Sequence, residues 1–165
     1  MIFFLLFGEP LSQLSQTKLP ALVDANDTEA VRATFKSVLI LAACTALGIG
    51  GVAFSAVTFG SGLFTSDPGV QLMAKQAAPA LFLAVVTAIF TVAVDGAMLA
   101  SRDFGFMLLC GMATFAAQIR LLKQCTSLSF IFGTFTMRLG LYSILALMRA
   151  LTGYGALGRV LRRQR

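Results

Sequence analysis

Three ionisable residues of this chain stand where ionisable residues are expensive. Asp95 lies in TVAVDGAMLAS, residues 91–101, directly after 19 uncharged residues from Gln76 to Val94. A carboxyl group at membrane depth is costly to place and by default marks a proton or cation carrier. The competing reading sets Asp95 at the interface, paired with Arg102 two turns on or capping a neighbouring helix. Glu9 is the second candidate for cation or proton coupling, in FGEPLSQLSQ, residues 7–16. There Ser12, Gln13 and Gln16 offer hydrogen-bonding groups to a watery substrate cavity. Pro10 frees backbone carbonyls, as interrupted transporter helices do beside a cavity. An exposed N-terminal strap would carry the same residues. Arg138, one turn before Tyr142, is the third. It suits an organic anion in the cavity, or a structural pairing with Asp95 or Glu9 across the bundle.

Other chemistry has little to work with. The chain holds no His and no Trp, and Cys44, Cys110 and Cys125 are scattered through apolar sequence without ligand spacing. No metal site, disulfide framework or cofactor is expected from such a pattern. Neither a Ser/Lys nor a paired-Asp arrangement is present, so the chain does not read as an enzyme. Asp103-Phe104-Gly105 matches a kinase tripeptide, but nothing else of that fold accompanies it.

The elements that must position these side chains are membrane helices. Residues 37–66 run 30 positions without Asp, Glu, Lys or Arg, Phe104 to Ile119 another 16, and Gln124 to Met148 25 with Arg138 as the one charge. About 20 apolar residues cross a hydrocarbon core as a helix. Charged residues make up 12% of the chain and mean hydropathy is +0.86, against about a quarter charged in a soluble domain. A spanning segment must satisfy its backbone internally, and these runs are too long and unalternating for barrel strands. The expected fold is an all-α integral membrane bundle of about four transmembrane helices plus a partial N-terminal one. The spans are expected near 37–64, 77–100, 104–121 and 126–149. Residues 1–22 form the partial helix and entry, 23–150 the membrane bundle, and 151–165 a basic tail broken by Gly153, Gly155 and Gly158.

Local signals fill in this frame. Residues 2–7 are apolar but too few to span, and no basic n-region or cleavage site makes them a signal peptide. They read as a membrane segment entered partway along. Asn26 with Glu29 resembles a capping box for an amphipathic approach that ends at Lys36. Ala42, Ala46 and Gly50 recur every four residues, as do Gly51 and Ser55, and Ala56 and Gly60, stripes that let helices approach in lipid. Asp67 and Pro68 form an N-cap and first helical position, opening a short surface helix to Lys75 before the second span. Nine Lys and Arg fall on one side of this topology and three on the other, which places the tail on the cytoplasmic or equivalent face. The bilayer and its headgroups, not nucleic acid, account for a net charge of +6.

Four runs in order resemble the multidrug and toxic compound extrusion family of antiporters. They are GEPLSQ (8–13), LFTSDPGV (63–70), DGAMLASRDFG (95–105) and MRLGLY (137–142). The second resembles the loop between that family's ninth and tenth helices, and the third the turn after its tenth. The first and last are similar to the plastid-envelope branch of plants and algae. The resemblance implies the end of the C-terminal lobe of a twelve-helix antiporter that exports xenobiotics or organic anions in exchange for H+ or Na+. Its missing N-terminal lobe would then be a partner. The plastid envelope is the implied location, otherwise the plasma or vacuolar membrane. The alternatives are a small four-span scaffold or regulatory protein, or a non-functional truncated transporter.

Overall fold

A computed structural model describes residues 6–162. Most of the apolar start, and Arg163 and Arg165, lie outside the described residues. The chain is an all-α, multi-pass membrane bundle. Its helices are α1 (Glu9–Asp24), α2 (Thr28–Phe64), α3 (Pro68–Ala100), α4 (Phe104–Leu122), α5 (Leu128–Leu151) and α6 (Gly155–Arg162). Helices α2 to α5 are each long and apolar enough to cross a bilayer. At 1.5 Å per residue α2 and α3 reach about 55 and 50 Å, well beyond a hydrocarbon core of roughly 30 Å. Their ends therefore stand in the headgroup layer, while α4, about 28 Å long, only just spans.

The ends are set by local chemistry. At the close of α1, Asn26 adopts φ 53°. Its N–H bonds to Val23 O and the Asp27 N–H to Leu22 O, at 3.1 and 3.2 Å. This is the left-handed Schellman stop that Asn tolerates well. The cap of α2 is consequently Asp27, whose Oδ1 accepts from Ala30 N at 3.1 Å, and not Asn26 as the spacing suggests. The residue that ends one helix cannot also open the next. Arg102 repeats the stop after α3 at φ 57°, with Arg102 N–H bonded to Leu99 O and Asp103 N–H to Met98 O. Asp67 caps α3 through Gly69 N at 2.8 Å, with Pro68 at the first position. No break separates a surface helix from the second span. Pro79 sits inside a continuous α3, its own ring exposed beside the buried Ala77 and Ala78.

Helix α3 is the hub, with α1 and α2 against one part of its surface and α5 against another. Of the three small-residue stripes, the one through Ala42, Ala46 and Gly50 is buried on α3. A Cβ on Gly50 would meet Val86 Cγ2 at 2.8 Å, whereas Gly51 faces open space. Ser55 and Ala56 are also exposed, so these two stripes are not internal contacts. The described part of the tail packs on the bundle. Residues 155–162 turn back through Gly153 and Gly155, at φ 88° and 78°. They bury Leu157 and Val160 among Leu19, Val31, Phe35, Ala100 and Ala150.

One end of the bundle is tied by charge. Arg149, in the last turn of α5, holds Asp103 with both Nε and Nη2, the latter at 3.1 Å. Its guanidinium also lies 4.6 Å above the Phe106 ring. Asp103 is 14% exposed and Arg149 31%, between the surface and buried regimes of ion pairs. Arg149→Gln is therefore expected to cost about 2 kcal/mol, read by thermal unfolding in detergent. Adding Asp103→Asn should recover part of that loss, because the stranded carboxylate is gone.

Candidate functional site

Asp95 does not pair with Arg102. Arg102 lies out at the headgroup end, 3.7 Å from Asp24 with both side chains largely exposed. Asp95 instead opens into a cleft of about 540 Å³ between α3, α4 and α5, whose lining also includes Thr91, Thr114, Arg138 and Tyr142. The cleft exists because α4 rests mainly on α5 and barely touches α3. Asp95 stands five residues inside the end of α3, about 7 Å along the axis. Arg138 sits near the middle of α5, with ten residues before it and thirteen after.

Within the cleft the polar groups fall into two sets one helical turn apart. The first is Asp95 with Tyr142, which line the cleft side by side from α3 and α5. Asp95 Oδ1 is buried and has no hydrogen-bond partner. The second is Arg138, whose Nη1 donates to Gln118 Oε1 at 3.1 Å. The guanidinium also lies 5.0 Å from the Phe115 ring centre, a cation–π contact that helps hold a charge at this depth. Gln118 is 2% exposed, and its Nε2 is a buried donor without a partner. No ion pair joins Arg138 to a carboxylate among the described residues. At the same level, Thr91 and Ser143 bond each other at 2.8 Å and Thr91 reaches Leu139 O at 3.2 Å, which ties α3 to α5.

Glu9 and its polar neighbours lie elsewhere. Gly96 follows Asp95, about 100° further round α3, and faces α1 instead of the cleft. A Cβ there would stand 2.5 Å from Ser12 Cα. Ser12 is thus buried in a helix crossing, where its Oγ accepts from Gln16 Nε2 at 3.0 Å. Glu9, Gln13 and Gln16 are exposed on α1. The structure brings Asp95 and Arg138 together and leaves Glu9, Ser12, Gln13 and Gln16 apart from them.

Gln118, Thr91, Thr114 and Ser143 escaped the sequence reading, yet a signal was there. Thr87, Thr91 and Asp95 repeat every four residues on α3, Cys110, Thr114 and Gln118 on α4, and Thr134, Arg138 and Tyr142 on α5. Residues four apart share a helix face, so each helix carries one polar stripe. The cleft is where members of all three meet.

Fold and site together define a multi-pass α-helical membrane protein with a polar, partly uncompensated cleft inside its span. Compared with protein-family models, curated proteins and solved structures, the chain gives no significant match.

Proposed function

We propose that this chain is the C-terminal part of a secondary active antiporter that exports organic compounds in exchange for H+ or Na+. The observation that carries the reading is the cleft: a carboxyl with a free oxygen, and one turn away a guanidinium without a counter-charge. A cation or proton belongs on Asp95, supported by Tyr142. An organic anion belongs at Arg138, which Gln118 holds from behind through Oε1. Filling either position changes the field at the other, which is the coupling an exchanger needs. A missing N-terminal lobe would complete the cavity and rock against this one. The multidrug and toxic compound extrusion family, in its plastid-envelope branch, is the proposed kinship and carries the proposed location, with the plasma or vacuolar membrane as alternatives. Four sequence runs support that kinship.

The test is flux. The protein, extended by any coding sequence upstream of Met1, is reconstituted in proteoliposomes loaded with a fluorescent carboxylate such as carboxyfluorescein. Efflux driven by an imposed proton or sodium gradient is the expected result. Absence of flux under both gradients would overturn the reading. It would leave a four-span scaffold, which the broad apolar face of α4 (Leu108, Leu109 and Met112, all exposed) also suits.

A further inference from the structure

A second cleft lies at the basic end of the bundle, between α2, α5 and α6, and we propose that it binds the headgroup of an anionic phospholipid. It encloses about 1050 Å³. Its lining holds two cations, Arg32 and Lys36, one hydroxyl, Thr152, and otherwise Phe35 and three leucines, with no acid among them. Arg32 and Lys36 are four residues apart and share one face of α2. Among the described residues Arg32 makes a single bond, Nη2 to Leu161 O at 3.2 Å, which leaves the rest of its planar fork for a ligand. Lys36 has no polar partner among the described residues. Glu29, three residues before Arg32, forms no ion pair with it. A guanidinium fork beside an ammonium is a phosphate-binding pair.

Depth selects the lipid over a soluble anion. Lys36 is the last charge before the uncharged run that opens at Ser37, so the cations mark the top of the hydrocarbon. Leu39 lies one turn deeper on the same wall, and Leu151, the last residue of α5, lines the cleft from the other side. Phosphate above and acyl chain below is the order in which a phospholipid would fill this cleft. General attraction to a basic surface would not need these walls. Arg159, at the same end, borders a different cleft that contains Asp24 and Asp103.

The test extracts the 165-residue chain from vesicles of equimolar phosphatidylglycerol and phosphatidylcholine and counts retained lipid by native mass spectrometry. Phosphatidylglycerol is expected to be retained preferentially. Lys36→Gln should weaken that retention about fivefold, from roughly 1 kcal/mol per surface cation, and Arg159→Gln should leave it unchanged. Lys36 is the decisive position, because Arg32→Gln also removes a bond to α6 and risks the fold. Equal retention of both lipids, or a Lys36→Gln protein that keeps its preference, overturns the proposal. Displacement of the lipid by inorganic phosphate would mark a free-anion site instead. A lipid-free dimer would mark a contact between copies. Either would also overturn it. None of these outcomes depends on transport through the Asp95 cleft.

Discussion

Gly96→Val is expected to prise α1 from α3 and destabilise the bundle by about 3 kcal/mol or more, beyond the 1–3 kcal/mol usual for overpacking. The reason is that its neighbour is main chain. A Cβ at residue 96 would lie 2.5 Å from Ser12 Cα and 2.6 Å from Ser12 O, and neither can rotate aside. Gly8 faces the same helix with a similar lack of room, 2.9 Å from Val92 Cβ. The crossing is thus closed at two points, one turn of α1 apart. Between lipid-facing helices such close backbone approach is the main source of association, since burying leucine from lipid gains little. Thermal unfolding in detergent, with limited proteolysis at the turn around Asn26, reads the effect. Gly96→Ala should already lower the transition and expose that turn. Gly51→Ala, which meets open space, should be neutral or slightly stabilising through its better helix propensity. A Gly96→Ala protein as stable as the wild type would show that α1 is not seated on α3 as described.

What the sequence made legible divides along physical lines. Long uncharged runs specify helices and a membrane because hydrocarbon imposes one solution on the backbone, so four spans could be read without any contact being known. Asp67 and Pro68 could be read as a start because a cap is a contact within a few residues. Asn26 misled because it suits two positions, an N-cap and a left-handed stop, and only the path of the whole turn decides between them. Asp95 and Arg138 stood out because charge is rare at that depth. Their neighbours did not: Gln118 and Thr114 are common residues, and their importance lies in three stripes converging across helices. Gly96 carries no local mark of its role, since the close approach that requires it comes from Ser12, 84 residues earlier in the chain. The ion pair of Asp103 and Arg149 spans 46 residues, and no local pattern encodes it.

Asp95→Asn is expected to abolish exchange while leaving the bundle intact, and Arg138→Met to abolish anion binding without lowering stability. The two predictions separate function from architecture. Asn has nearly the shape of Asp, and Thr91 and Ser143 still tie α3 to α5, so the packing of the two helices has no reason to change. It can neither take up a proton nor neutralise the charge of Na+, so flux should no longer respond to either gradient. Affinity for the anion, if the two positions are coupled, should shift by about 5–150-fold, the usual span of coupling between sites. Arg138 answers the other half. An arginine near the middle of a span costs about 2.5–3.5 kcal/mol on insertion scales, and its neutral partner Gln118 offsets only part of that. If the guanidinium is there for a ligand, removing it should hold or raise the unfolding temperature while anion binding falls by tenfold or more. If it is there to join α4 to α5 through Gln118, the same substitution should lower the unfolding temperature. Detergent unfolding and carboxyfluorescein binding on the one variant distinguish the two. A stable Asp95→Asn protein that still exchanges at the wild-type rate would move the coupling carboxylate out of this cleft altogether.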